Sequence, residues 1–278
     1  VKLMYSSMNS FTMVAVPLFF LAGILMDKGG VAEQIFSFCE DVVGWIHGGL
    51  GHVNIMTSIL FAGMSGSSVA DVASIGALCA NAMIRSGYPS PYAWGTTLAS
   101  SMLASVIPPS ILMVVAASVA QVSMGQALFA GIIPGVFLGL VMMVYNYFYC
   151  KKHGIGHRIP FNGGRLWKSF KRALPALMVP VILLGGMYTG YFTSTEAAAI
   201  CVLYTLIVSM FVYKKLTFKD LPGIFMSVAK STGTVLFVAI TAKPAGQLFT
   251  LDGFPALVSS AITGLTQNSI AVMILIFL

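Results

Sequence analysis

Charge is what this chain has least of. Only 8% of its 278 residues are Asp, Glu, Lys or Arg, against roughly 25% in a soluble domain. Eight acids are too few to surround a water-soluble core. The four cysteines, Cys39, Cys79, Cys150 and Cys201, stand singly, which excludes a disulfide framework or a zinc site by spacing. Apolar residues fill the space, at 58% of the chain with a mean hydropathy of +0.91. Glycine (28) and proline (12) are scattered through the apolar segments, where neighbouring helices must satisfy the backbone groups they free. The fold class this predicts is an all-α polytopic membrane protein with broken helices, surrounded by the lipid bilayer.

The net charge of +7 could point to nucleic acid, but its distribution excludes that partner. Seven of the fifteen basic residues fall between Lys151 and Arg172, unaccompanied by acids, as expected of a loop held on the cytoplasmic side. Four regions follow. Residues 1–53 hold a first span, Thr12 to Met26, and an amphipathic interfacial helix from Val31 to Leu50, where Glu33, Glu40, Asp41 and His47 alternate with apolar residues. Residues 54–150 hold a re-entrant hairpin (54–85), a broken helix (96–122) and a further span (126–150). Residues 151–172 form the basic linker. Residues 173–278 begin a second half with spans from Ala173, Thr195 and Ile224, and a last run from Ser269 is incomplete. Both ends read as truncations. Val16-Pro17, Leu21 and Gly23 align with Val179-Pro180, Leu184 and Gly186, a weak match of the kind that inverted repeats leave.

The hairpin carries the chemistry. Its arms, Asn54 to Met64 and Val69 to Arg85, would be about 17 to 25 Å long as helix, short of a hydrocarbon core of about 30 Å. They meet at Ser65-Gly66-Ser67-Ser68. A second interruption, Ile107-Pro108-Pro109-Ser110, falls inside the next apolar segment, where proline removes a donor and clashes with the preceding turn. Exposed backbone at membrane depth is tolerated where it lines a cavity, and its carbonyls and hydroxyls suit a hard cation such as Na⁺. Asp71 and Glu196 are the two acids deep in apolar sequence, and a charge there is costly enough to need a reason. Thr193 and Glu196 have the T-x-x-E spacing of a capping box, so Glu196 reads as a helix cap. Asp71 either holds the tip in shape or contacts a ligand.

Several stretches together resemble the large membrane subunit of tripartite ATP-independent periplasmic (TRAP) transporters, the DctM-like component: VPLFFLAGILMDKGG, GGLGHVNIMTSILFAGMSGSSVADVASIG, SVIPPSILMV, QALFAGIIPG and the TEAAA of TSTEAAAICVLY. The resemblance implies a Na⁺-coupled elevator of inverted-repeat fold in a bacterial or archaeal inner membrane, importing an organic acid such as a C4-dicarboxylate, sialic acid or keto acid. It implies two protein partners, a small four-helix membrane subunit and a periplasmic substrate-binding protein, and no cofactor besides Na⁺ as coupling ion. Carried over by position, Ser65 and Ser68 with backbone carbonyls of Ala104, Ile107 and Pro109 would hold Na⁺, and Ser67, Asp71 and Ser110 would meet substrate. Ala104 stands where the family has glycine, and Ser194 where it has proline. A second hairpin and its break would lie beyond Leu278.

Two other readings compete. The hairpin and broken helix alone would also fit a channel or another ion-coupled elevator carrier. Gly63-Met64-Ser65-Gly66 fits the GxSG of intramembrane serine proteases, whose chemistry requires a histidine within reach of the serine. All four histidines, His47, His52, His153 and His157, lie in interfacial or loop sequence.

Overall fold

A computed structural model describes residues 11–120, 122–156, 159–265, 268 and 272. The opening ten residues, His157 and the run from Ser269, apart from Val272, lie outside it. Among the described residues all regular structure is helical. Four helical stretches are long and apolar enough to cross a membrane: Met124–His153, Gly163–Tyr188, Ser194–Val212 and Phe218–Leu251. A fifth is possible from Ala15–Lys28 and Val31–Val43, which bend by 68° at their junction. The chain is a multi-pass membrane protein by this architecture, and two compact units divide it.

The larger unit, Phe11–Gly233, opens with α1 (Ala15–Lys28) and α2 (Val31–Val43). Gly29 N–H donates to Leu25 O at 2.8 Å and closes α1, and Gly30 at φ +77° turns the chain. Helix α2 buries Val31, Ile35 and Cys39 on one side and exposes Glu33 and Ser37. It stops at Val43, short of the expected Leu50. Gly44 N–H caps Glu40 O at 3.0 Å and Gly48 sits at φ +76°, a conformation open to glycine at little cost. The glycines therefore end the helix where charge alternation alone would extend it.

Beyond Gly48 come α3 (Gly49–Ser65), the hairpin's first arm, and α4 (Ser68–Asp71), a π-helical turn (Val72–Gly76) and α5 (Ala77–Arg85), its second. The broken helix is α6 (Ser90–Ser101), a 3₁₀ turn (Met102–Ser105) and α7 (Ile111–Ala120). Then α8 (Met124–Ala130) and α9 (Ile132–His153) return the chain. Near the basic end of α9, Asn146 Nδ2 donates to Gly48 O at 3.1 Å and its Oδ1 accepts from Tyr92 OH at 2.8 Å.

The basic stretch is more ordered than a linker. Helix α9 runs on to His153, and α10 (Gly163–Tyr188) already begins at Gly163. Asn162 caps α10 by accepting from the backbone N–H of Gly164 and Arg165 at 3.0 and 3.1 Å. Leu166, Ser169, Phe170 and Ala173 follow at helical spacing. Arg165 pairs with the buried Asp41 of α2. Helix α10 contains Pro175 and Pro180, while Val16-Pro17 opens α1, so the two matched sequence stretches have different local settings. Helix α11 (Ser194–Ile207) and Tyr213, just past the π-helical turn Val208–Val212 that follows it, donate to α10 carbonyls: Tyr204 OH to Pro175 O at 2.9 Å and Tyr213 OH to Arg172 O at 2.8 Å.

A hydrophobic cluster of Leu25, Leu216, Ile224 and Val228 joins α1 to the first turns of α12 (Leu221–Leu251). From Thr234 the chain belongs to the second unit. There Gly253, at φ +72°, separates the end of α12 from α13 (Phe254–Leu265), and the Phe249 and Phe254 ring centroids lie 5.5 Å apart.

Candidate functional site

The hairpin tip and the helix break meet. Helix α3 ends at Gly66, whose φ of +61° is left-handed, and Gly66 O accepts from Ile111 N–H at 3.0 Å across the gap. A Cβ at Gly66 would fall on Pro109 O, and the Pro108–Pro109 peptide bond is cis. Close approach of two broken backbones is what Gly66 makes possible. Helix α1 crosses the same point: a Cβ on Gly23 would lie 3.1 Å from Ser65 O.

Behind the break, Gly131, Gly135 and Gly139 repeat at four-residue intervals, so they share one face at the start of α9. Cβ atoms at these positions would meet Val106 O, the Ile107 side chain and the Ile59 and Leu103 side chains. Small residues at this spacing let helices approach closely where lipid gives no hydrophobic drive.

The polar side chains at the joint fall into two pairs. Ser65 Oγ donates to Asp71 Oδ1, both residues being buried, and Ser67 N–H donates to Ser65 Oγ at 3.4 Å. Asp71 is 0% exposed, and its Oδ2 has no hydrogen-bond partner among the described residues. Ser68 Oγ lies 2.5 Å from Ser105 Oγ, joining the hairpin to the 3₁₀ turn. A buried carboxylate with one oxygen unpaired is costly to keep, because each desolvated charge loses its hydration without replacement. Such a carboxyl is relieved either by taking up a proton or by a positive partner.

The remaining expected site residues sit as follows. Ser110, 0% exposed, donates to Ser105 O at 2.7 Å and accepts from Met113 N–H at 3.2 Å, so its hydroxyl caps α7. Neither Asp71 nor Ser110 offers a surface atom to a solute in this conformation. Ser67 is half-buried, and its Oγ accepts from Ala70 N–H at 3.4 Å. Ala104 and Ile107 are buried with Ala62 and Leu103 in one cluster beside the tip. Beside Ser68, Val69, Val72, Leu98, Ser101 and Met102 line an apolar cleft of about 690 Å³.

Thr193 and Glu196 stand apart as a reciprocal cap of α11. Glu196 N–H donates to Thr193 Oγ1 at 3.3 Å, and Thr193 N–H donates to Glu196 Oε2 at 2.8 Å. Thr193→Ala should lower stability by about 1 kcal/mol, which thermal unfolding checks.

Sequence reasoning missed Ser105 and a buried polar ladder that fixes hairpin to broken helix. Asn54 Nδ2 donates to Thr97 Oγ1 at 2.7 Å, and Ser58 Oγ lies 2.9 Å from Ser100 Oγ. Asn54 and Ser58 are one helical turn apart on α3, Thr97 and Ser100 one turn apart on α6, and that repeated spacing was the available signal. Asn54→Ala takes a donor from Thr97 Oγ1, which keeps its own bond to Ala93 O, and should cost about 1 to 2 kcal/mol. A double-mutant cycle with Thr97→Ala in thermal unfolding would recover most of that as coupling.

The whole chain, residues 1–278, matches the family described as Tripartite ATP-independent periplasmic transporter, DctM component. The chain belongs to this family. It is 36% identical over 275 residues to the sialic acid TRAP transporter permease protein SiaT of Haemophilus influenzae, over 99% of this chain and 44% of SiaT. It is also 36% identical to the sialic acid TRAP transporter large permease protein SiaM of Vibrio cholerae, over 98% of this chain and 64% of SiaM. The C4-dicarboxylate TRAP transporter large permease protein DctM of Pseudomonas aeruginosa is 36% identical as well, over 94% of this chain and 61% of its own length. The chain thus spans between about half and two-thirds of these relatives.

Permease subunits of TRAP transporters are not enzymes, which sets aside the protease reading of Gly63-Met64-Ser65-Gly66. The geometry agrees, since Ser65 Oγ is engaged with Asp71. His52 Nε2 contacts His47 O at 3.1 Å, and His52 sits on α3 about 20 Å from Ser65 along the helix axis.

Proposed function

We propose that this chain is the large permease part of a Na⁺-coupled TRAP importer for an organic acid in a bacterial or archaeal inner membrane. It works with a small four-helix membrane subunit and a periplasmic substrate-binding protein. The observation that carries the reading is the closure of hairpin tip on helix break, Ile111 N–H to Gly66 O at 3.0 Å, around the buried Ser65–Asp71 pair. Na⁺ is held by Ser65, Asp71 and the carbonyls of Ala104, Ile107 and Pro109. Ser68 acts from the adjoining pair with Ser105, positioning the tip against the break.

Asp71 thereby moves from the substrate to the cation: a buried carboxylate attracts Na⁺ and repels an organic anion. Substrate contact on this half falls to Ser67 and the cleft beside Ser68. The names of the relatives, sialic acid and C4-dicarboxylate permeases among them, support a carboxylate cargo. Hairpin and broken helix travel together as an elevator, because the Asn54–Thr97 and Ser58–Ser100 contacts and the glycine face of α9 bind them as one body.

The test is uptake into proteoliposomes by the full-length permease with its two partners. A Na⁺ gradient should drive uptake, and Ser65→Ala with Ser68→Ala should raise the Na⁺ concentration for half-maximal rate by about tenfold or more, as expected from losing one hydroxyl that holds the ion and one that positions the tip, about 1 kcal/mol each. Unchanged Na⁺ dependence in that variant would remove the site. Uptake that persists without Na⁺ or without the binding protein would favour a different carrier class.

A further inference from the structure

Helices α2 and α10 lie side by side, and their two flanks differ in chemistry. On one flank Glu40 and Asp41 face Arg165, Lys168 and Arg172 around a chamber of about 290 Å³. On the other, Phe38, Val42, Leu166, Trp167 and Phe170 line an apolar groove of about 280 Å³. At about 100° per residue, the order round α10 runs Arg165, Arg172, Lys168, Lys171, Trp167, Phe170. The polar chamber therefore grades into the aromatic flank over the outer face of the helix, through Lys171. Its ammonium lies 5.1 Å from the Trp167 ring centroid.

The charges in the chamber do not cancel. Arg165 is committed to the buried Asp41 and to Pro160 O at 3.3 Å. Lys168 and Arg172, both exposed, then face Glu40 as the one remaining acid lining the chamber. An anion of one charge is what this flank still accepts. Trp167, 59% exposed, and the half-buried Phe170 continue the surface with the aromatic groups that favour a membrane interface. Round the helix, cations that can hold a phosphate stand next to aromatic groups that can pack against the apolar part of a lipid.

We propose that the outer face of α10 over Arg165–Arg172 seats an anionic phospholipid. Its phosphate lies against Lys168 and Arg172, and its chains lie over Trp167 and Phe170. The apolar flank distinguishes a lipid from free phosphate, for which it would be idle surface.

The purified full-length permease, delipidated in detergent and supplied with phosphatidylglycerol or phosphatidylcholine, allows bound lipid to be counted by native mass spectrometry. Phosphatidylglycerol should be retained in preference. Lys168→Gln with Arg172→Gln should weaken its retention about thirtyfold, taking the contribution of two basic residues at an anionic surface. Lys151→Gln with Lys152→Gln should leave retention intact. Equal retention of the two lipids, or full retention by the Lys168/Arg172 variant, would overturn the proposal. Displacement of the lipid by inorganic phosphate would assign the chamber to a soluble anion and overturn it equally. If the neutral variant does not fold, Lys168→Arg with Arg172→Lys keeps the charge and must keep the preference; its loss would count against the site.

Discussion

Asp71→Asn in the full-length permease is expected to reduce Na⁺-driven uptake about a hundredfold or more while the protein stays folded. Asparagine has the shape of aspartate, and its amide oxygen can still accept from Ser65. What it lacks is the charge. Removing one partner of a buried ionic contact costs about 3 to 5 kcal/mol, and each 1.4 kcal/mol is tenfold in affinity. Stability should move in the opposite direction when Na⁺ is left out. The Asp71 carboxylate has an unpartnered Oδ2 among the described residues, and a neutral amide is cheaper to bury than a charge. Thermal unfolding with and without Na⁺ should thus show the variant at least as stable as the parent in Na⁺-free buffer. The stabilisation that a bound ligand gives should disappear from it. A variant with wild-type uptake and wild-type response to Na⁺ would show that Asp71 is no part of the cation site.

Gly66→Ala should be among the most damaging single-methyl changes in the chain. Its φ of +61° costs an alanine about 1 to 2 kcal/mol. The added Cβ would also overlap Pro109 O, a backbone atom that cannot rotate away. Hairpin and break would have to separate, breaking the Ile111 N–H to Gly66 O bond and leaving buried backbone groups unpaired. Together these amount to about 3 kcal/mol or more, in the exceptional range for one substitution. Gly95→Ala in α6 is the control: its Cβ meets no atom within 4 Å, and alanine should leave stability equal or slightly raised. The two variants compared in thermal unfolding and in uptake separate loss of the joint from loss of helix propensity.

The helix end at Gly66 and the interruption at Pro108-Pro109 were legible in the sequence because local chemistry favours them. Gly66 among serines and the Pro108-Pro109 pair each weaken a helix, although Pro175 and Pro180 inside α10 show that a helix can carry single prolines. The capping spacing of Thr193 and Glu196 is local in the same way. Ser105, Asn54 and Thr97 escaped notice because their meaning depends on which helix faces which. A serine before an unwound stretch looks the same whether it pairs with Ser68 or faces lipid. The glycines at 131, 135 and 139 were visible as a four-residue repeat, but only the position of Val106 and Ile107 against them shows what they admit. At the basic stretch, charge was weighed above periodicity. Leu166, Phe170 and Ala173 were already at helical spacing behind a capping Asn162, and α10 begins there.

Direct calorimetric titration of Na⁺ into the purified full-length permease tests the central claim, that hairpin tip and helix break form one half of a cation site. Saturable Na⁺ binding is expected, with K⁺ giving no comparable heat. The variant carrying Ser65→Ala and Asp71→Asn should lose the component that these residues hold. Na⁺ binding of unchanged affinity and stoichiometry in that folded variant would contradict the account.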